Sequence, residues 1–463
     1  MKSSTLLSLA AILLVSGCSM APKLEVAEPA MPAALSDVNA TSPVDVKWWE
    51  QYGDGQLNTL ITEALANNDD LKMAMSNVML ARVTLGLSRA ERYPTIDASA
   101  SGYRRKTSGE TLSPFSGVTY NSFDLSAGAA YEFDFWGRYS NMEASARAEL
   151  LAGEADMETV RITLISTAAE LYFSLITLDR QINVTAETVQ AYKESYEYRS
   201  RQYDHGVIDA LVLEQAHALY ANAKLRLATH KEEKLLAESA LAVLIGRSPE
   251  AIFSRNVATS PTLAVPLNVP KQLSSNLLQQ RPDIRAAEER LRAANATIGV
   301  ARAAYFPTIS LTGTAGFSST ELGNLLNSSA RTWGFGPSLY VPIFDFGRIK
   351  SSVEIAEAKK DAAVIAYAKT VKNAFKEVYD ALKKIESTNE KLAAQKEETA
   401  ALEKVLALSQ QRFDSGYGTY LEVVESKRAL LNSRTNFIAL NDAQIVNQIT
   451  LYKALGGGWQ PQN

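Results

Sequence analysis

The chain is short of almost everything on which protein chemistry is usually built. Its 463 residues hold one cysteine, Cys18, which excludes a disulfide framework and any thiolate metal cluster. The three histidines, His205, His217 and His230, stand 12 and 13 residues apart. That is not the i, i+4 spacing that sets two imidazoles on one helix face around zinc. Basic residues are in the minority, 47 Lys and Arg against 51 Asp and Glu for a net charge of −4. The clustered positive surplus that nucleic acid requires is therefore missing. No phosphate loop and no catalytic constellation is visible, so neither an enzymatic activity nor a cofactor is expected. Beyond the N-terminus no run approaches eighteen consecutive apolar residues, which predicts no transmembrane helix.

Proline and glycine are missing where their absence matters most. No proline occurs between Pro114 and Pro249 or between Pro342 and Pro461. Residues 348–415 also lack glycine, and 138–205 contain only Gly153. Inside a helix proline costs about 3 kcal/mol and glycine about 1, so both stretches are predicted to be continuous helices. At ~1.5 Å per residue each would reach roughly 100 Å. Ile385, Leu392, Leu402, Leu406 and Phe413 approximate a coiled-coil seam without fixing its register. Gly206 and Gly416 mark where the chain turns back, because glycine accepts the left-handed backbone of a tight helix-to-helix connection. Met73, Met75 and Met79 read as core residues rather than as a soft-metal relay.

The N-terminus carries a targeting pattern. Lys2 precedes a short apolar stretch from Leu6 to Val15, which runs through Ser16 and Gly17 into Cys18. Ten residues, nine of them apolar, are too few to span a bilayer. The pattern resembles a bacterial lipobox, which implies cleavage before Cys18 and acylation of its thiol; an ordinary secretory signal with an incidental cysteine is the alternative. Ser19 after the cysteine resembles the sorting signal for the outer membrane.

Two halves of the chain repeat each other, and that sets the architecture. Arg89-Ala90-Glu91-Arg92-Tyr93-Pro94-Thr95-Ile96 matches Arg302-Ala303-Ala304-Tyr305-Phe306-Pro307-Thr308-Ile309, and Asp134-Phe135-Trp136-Gly137-Arg138 matches Asp345-Phe346-Gly347-Arg348. Tyr203-Asp204-His205-Gly206 matches Phe413-Asp414-Ser415-Gly416 at an offset of 210. Ala242-Val243-Leu244-Ile245-Gly246 matches Tyr452-Lys453-Ala454-Leu455-Gly456 at the same offset. The expected division is a signal peptide over 1–17, an anchored segment over 18–56, one repeat over 57–246, a proline-bearing linker over 247–272, a second repeat over 273–456 and a tail over 457–463. Each repeat reads as a helix, two strands and a long helical hairpin, with strands near 95–105, 121–134, 308–317 and 331–342. Their alternation suits a strand with one face on lipid and one on a polar lumen, and equally a soluble half-buried sheet. Four strands cannot close a barrel in lipid, so a membrane barrel has to be shared between chains, most simply three.

These features together resemble the TolC family of outer-membrane efflux ducts, specifically its lipoprotein, NodT-like branch. The resemblance covers nearly all of the chain beyond the lipobox. It rests on that lipobox, on Trp48-Trp49 with Asp54, Leu57 and Leu60, and on Arg281-Pro282-Asp283-Ile284. Phe344-Asp345-Phe346-Gly347-Arg348 and Ala454-Leu455-Gly456-Gly457-Gly458-Trp459 complete it. It implies an α+β membrane protein: a homotrimeric 12-stranded β-barrel, four strands per protomer, continuing into a 12-helix periplasmic α-barrel with an equatorial domain. It implies a diacylglycerol and an N-acyl lipid, such as palmitate, on Cys18, and no other cofactor. The partners it implies are a periplasmic adaptor and an inner-membrane transporter of the proton-driven resistance-nodulation-division type, besides outer-membrane lipid.

By the same resemblance the hairpin tips dock the adaptor, through Gly206, Val207 and Ile208 in the first repeat and Gly416, Tyr417 and Gly418 in the second. Glu422 and Glu425 fall on the segment whose acidic residues line the periplasmic aperture; three apart, they share one helix face. A trimer would ring six carboxylates and make the pore cation-preferring and pH-sensitive. Family members usually carry aspartate there, and where TolC has a basic locking residue this chain has Gly418. The expected function is a passive duct for drugs or other small toxic molecules. A general porin and a helical envelope spacer are the alternatives. Arg104-Arg105-Lys106 is expected in the loop between the first two strands, facing outward, either free in solvent or against anionic lipopolysaccharide.

Overall fold

The structure, a computed structural model, describes residues 19–24, 46–110, 116–248 and 281–458. Cys18, the linker prolines and Trp459 lie outside the described residues. A short 3-10 turn, Trp48–Tyr52, leads into α1 (Gly55–Asn67), α2 (Asp69–Ala90), β1 (Thr95–Lys106) and β2 (Thr119–Phe133). There follow α3 (Arg138–Asp204), α4 (Ala210–Leu244), α5 (Pro282–Ala303), β3 (Thr308–Ser319), β4 (Arg331–Tyr340), α6 (Arg348–Asp414) and α7 (Tyr420–Ala454). Helices α3 and α6 each run 67 residues unbroken. The fourth strand stops at Tyr340, short of the expected 342, because Pro342 has no amide to give a ladder.

The strands form one antiparallel sheet in the order β1-β2-β3-β4, although α3, α4 and α5 intervene between β2 and β3 in sequence. Its register aligns every apolar row. Ile96 faces Ala129, and Ala129 faces Gly313, which faces Phe335. Ala98, Ala127, Ala315 and Trp333 make the next row, and Leu311 opposes Pro337. Since strand side chains alternate, all of these share one face, and a slip of one residue anywhere would invert a strand. The other face is polar: Ser99 Oγ lies 3.0 Å from Ser126 Oγ, and Ser318 donates to Asp124 at 2.7 Å. A soluble half-buried sheet would cover its apolar face. Here Trp333 and Phe335 on that face are 78% and 77% exposed.

The basic triplet is not in a loop. Arg104, Arg105 and Lys106 are the last residues of β1, paired with Asn121, Tyr120 and Thr119. Alternation therefore divides them, with Arg104 and Lys106 on the apolar face and Arg105 on the polar one. The methionines also depart from expectation. Helix α2 buries Leu71, Val78 and Leu85 at heptad spacing and leaves Met73, Met75 and Met79 exposed. The apolar signal was real, but it belongs to a face that no described residue covers.

By internal packing the chain divides into two compact units. The first contains Asn77–Gly153 and Ala286–Tyr367, hence the whole sheet, with the described residues 19–24; the second takes Glu154–Arg285, Ala368–Asn463 and the described residues 46–76. In the second unit the core gathers Trp48 and Leu57 against Leu164, Tyr172 and Leu175 of α3 and Ile445 and Ile449 of α7. Helix α3 contains one stretch long and apolar enough to cross a bilayer, but most of that stretch is buried inside the protein. The absence of an unbroken apolar run thus concealed a hydrophobic core helix.

Along α6 the residues turned inward include 378, 381, 385, 388, 392, 395, 399, 402, 406, 409 and 413, with 380, 382, 387 and 410 also partly covered. Through the first series steps of three and four alternate, the period of a left-handed coiled coil. The seam looked imperfect in sequence because several of its positions are polar. Asn447 donates to Thr388 at 2.9 Å, Gln395 to Ser433 at 2.8 Å, and Thr399 and Ser433 share a hydrogen bond of 2.7 Å. Those bonds cross from α6 to α7 and fix their register where leucines alone would let it slide.

Candidate functional site

Both hairpin tips are built the same way. In the first, Gly206 adopts φ +70°, its amide donates to the Tyr203 carbonyl at 2.9 Å, and Val207 N donates to Gln202 O at 2.8 Å. In the second, Gly416 has φ +79°, Gly416 N donates to Phe413 O at 3.0 Å and Tyr417 N to Arg412 O at 2.9 Å. This closes the spent helix, and only glycine takes that backbone without strain. Each returning helix is capped by a side chain: Asp209 accepts from Val212 N at 3.0 Å, and Thr419 accepts from Glu422 N. A side chain at Gly418 would press on Arg412 Cβ at 3.1 Å, so its smallness serves the turn. Val207 and Tyr417 point outward and are 66% and 84% exposed, while Ile208 is half-buried. Each tip thus offers a projecting apolar side chain on a rigid turn.

Just inside the second tip lie the two acidic residues, both exposed on the first turn and a half of α7. Neither stands alone. Arg412 Nε is 3.8 Å from the Glu422 carboxylate, and Arg428 reaches Glu425 at 2.6 Å. Arg412 also leans toward the Tyr417 carbonyl at 3.4 Å. This turn therefore alternates acid and base instead of presenting bare carboxylates. Beside Gly418 the basic side chain is Arg412, five residues before Tyr417, which spacing along the sequence did not single out.

Behind the tips, the two hairpins are joined by an aromatic cluster around a buried cation. Arg199 of α3, 8% exposed, sets its guanidinium 4.8 Å from the Phe413 ring centre and 4.7 Å from that of Tyr420. It donates to Gln202 at 2.7 Å, and Ser195 Oγ lies 3.1 Å from the Tyr420 hydroxyl. Tyr192, Leu219, Val423 and Val424 pack around it. Burial pushes the Tyr192 phenol up to about 12 and lowers the Lys427 ammonium, which lies over the Tyr192 ring and beside the charge of Arg199. Sequence reasoning missed Arg199 because an arginine in a charged helix carries no mark of burial.

The other motifs hold the scaffold. Asp54 caps α1, accepting from Gln56 N and Leu57 N, and takes the Tyr172 hydroxyl at 2.8 Å. Trp48 stacks on Tyr452 with ring centres 5.1 Å apart. Buried Arg281 donates to the terminal carbonyl of α7, Ala454 O, at 2.6 Å, and to Asp283 and Glu377. Asp345 accepts from Gly347 N and Ile349 N to start α6, and those backbone bonds hold its carboxyl below the usual range. Asp134 does the same for α3 through Tyr139 N and Ser140 N. Between these caps and the sheet, Phe344 and Phe346 stand exposed beside Ile343, and Phe346 takes φ +57° to do so. Exposed aromatics at the foot of an apolar sheet face suit a membrane–water boundary. Of the histidines, His217 stacks on Tyr196 and His230 pairs with Glu233.

The family model described as outer membrane efflux protein matches residues 60–247 and 273–457. The cation efflux system protein CusC of Escherichia coli O157:H7 is 37% identical over 464 residues, covering 98% of this chain and 99% of the relative. The probable outer membrane lipoprotein SilC of Salmonella typhimurium is 34% identical, over 98% of each. Among solved structures, the Campylobacter jejuni CmeC outer membrane channel superposes with a TM-score of 0.90 at 28% identity, over 96% of both chains. The segments matched by the family model contain the whole sheet, both tips, helices α2 to α7 and the later part of α1. The chain belongs to the outer membrane efflux protein family.

Proposed function

We propose that three copies of this chain form an outer-membrane exit duct that passively conducts drugs or other small toxic molecules. The observation that carries this is the sheet. Four strands whose apolar rows all face outward are joined, at the end away from their loops, to two unbroken 67-residue helices. A porin that works by diffusion has no use for such helices. Two features support a shared barrel. Edge strands β1 and β4 are unpaired on their outer sides and almost wholly exposed, which lipid does not tolerate. Met73, Leu80 and Leu87 make an exposed apolar stripe at heptad spacing along α2, suited to a second copy of the chain. Three copies give twelve strands, with twelve helices beneath them.

In this reading Cys18 carries the lipid anchor. The apolar tips at Val207 and Tyr417 receive a periplasmic adaptor, and a proton-driven inner-membrane transporter selects the cargo. Glu422 and Glu425, with Arg412 and Arg428, rim the aperture. Deleting the gene should produce hypersensitivity to dyes, detergents and antibiotics, restored by the wild-type chain. Loss of nutrient uptake without hypersensitivity would instead mark a porin.

A further inference from the structure

The basic triplet at the end of β1 acquires a meaning from the face on which each residue falls. Arg104 and Lys106 continue the apolar row of Ile96, Ala98, Ala100 and Gly102, whereas Arg105 is on the polar face. On β4, Arg331 opposes Phe317 and continues the row of Trp333 and Phe335. All three cations fall on the apolar face toward the loop end of the sheet: Arg331 shares the row of Phe317, Leu125 and Ala100, while Arg104 and Lys106 stand two and three rows nearer the loops. All are exposed, and none has a carboxylate within ion-pair distance among the described residues. Asp124, in the strands near this end, is on the opposite face, held by Ser122 and Ser318; of the acids in the connecting segments, Glu321 accepts from Asn324 and Glu110 makes no ion pair with these cations.

The cations also occupy the two edge strands. If the sheet closes with its copies as proposed above, β4 of one protomer runs antiparallel to β1 of the next with their loop ends together. Each seam then gathers Arg331 from one chain and Arg104 and Lys106 from its neighbour. Three like charges on the lipid side of a subunit boundary repel one another unless an anion comes from the membrane. We propose that each seam binds the phosphorylated headgroup of an outer-leaflet glycolipid, whose phosphates bridge adjacent protomers and tighten the trimer. Guanidinium forks suit this partner because they grip phosphate oxygens in pairs. The proposal rests on the duct reading for the trimer and for the outward direction of the loops.

The test is native mass spectrometry of the purified full-length trimer titrated with diphosphoryl lipid A, together with the temperature at which the trimer dissociates. Three lipids per trimer should bind and raise that temperature. Joint replacement Arg104→Gln, Lys106→Gln and Arg331→Gln should weaken binding on the order of 100-fold. Arg104→Lys with Arg331→Lys, which keeps the charge but loses the forks, should bind between wild type and the triple variant. Arg105→Gln, the same charge change on the polar face, should leave binding intact. Equal loss in Arg105→Gln, unchanged binding in the triple variant, or full displacement by inorganic phosphate would each overturn the proposal while a trimer still stands. A wild-type chain that never trimerises would overturn the duct reading along with it.

Discussion

Arg199 and Tyr420 come from different hairpins, and the guanidinium of one lies 4.7 Å from the ring centre of the other. Tyr420 is the first residue of α7, two positions before Glu422, so a contact that holds it also holds the acidic turn. The Arg199 Nε is buried without a hydrogen-bond partner, which leaves the rings of Phe413 and Tyr420 as much of its company. A desolvated cation–π contact contributes about 2 kcal/mol. Arg199→Met should therefore free the second hairpin from the first, raising single-channel conductance and exposing the tips to protease. Arg199→Lys should be intermediate. Unchanged conductance with unchanged proteolysis would mean the hairpins are held elsewhere.

In the proposed duct the ion pairs of Glu422 and Glu425 should act on selectivity more than on stability. Exposed ion pairs such as Arg412–Glu422 and Arg428–Glu425 contribute about 0.5 kcal/mol each, so their loss should barely shift the melting temperature. They do offset the acidity of this turn, two guanidiniums against two carboxylates in each protomer. Arg412→Gln and Arg428→Gln should increase cation preference in a reversal-potential measurement across a salt gradient. A shift toward anions would place these residues away from the ion path.

Arg281 joins the start of α5 to the end of α7, bonding Ala454 O, Asp283 and Glu377 from a buried position. Removing it strands a buried carbonyl and two carboxylates, a loss of about 3 kcal/mol. Arg281→Ala should lower the thermal midpoint markedly and reduce the amount of assembled protein in the membrane. Arg281→Lys should recover little, since a point charge cannot reach three acceptors at once. Full assembly of the alanine variant would show that the α7 terminus is secured by other contacts.

Asp442 gives the clearest pH dependence. It lines a cavity of 130 Å³ with Thr177, Arg180 and Asn441, and burial pushes its carboxyl up to about 6 despite a bond from Thr177. An unfolded aspartate titrates near 4, so the folded chain holds the proton more tightly. Stability from this group is intact below about pH 4, declines as pH rises to about 6, and stays lost above. Glu170 nearby is also raised by burial, opposed by Lys453 and reinforced by Asp442. Asp442→Asn should stabilise the protein at pH 7.5 by on the order of 2 kcal/mol and be neutral near pH 4. Chemical denaturation at the two pH values reads the difference; equal effects at both would rule out titration of Asp442.

Much of the architecture is legible in the chain because period and punctuation are local properties. Alternation from Thr308 to Phe317 and the lack of helix breakers after Arg348 speak for themselves, and the repeated glycines at 206 and 416 mark the tips. What stays hidden depends on faces. The coiled-coil seam of α6 is masked by Thr388, Gln395 and Thr399, which look like surface residues until Asn447 and Ser433 answer them. Met73 and Met79 look like core until α2 is seen to bury Leu71 and Val78 instead. Arg104 and Arg105 look like one patch until the pleat sends them to opposite sides. Arg199 is invisible because a ring contact between distant segments leaves no spacing to read, and Arg412 meets Glu422 only once the tip has turned; Arg428, three residues after Glu425 on the same helix, is at a spacing legible in the sequence.

The central claim is a conduit narrowed at Glu422 and Glu425, and single-channel conductance of the reconstituted trimer tests it most directly. Wild type should show a small, cation-preferring conductance. Glu422→Ala and Glu425→Ala should raise the conductance and weaken the preference, with the double variant exceeding either. A large, unselective conductance that none of these substitutions changes would contradict the account and place the constriction, if there is one, elsewhere along the duct.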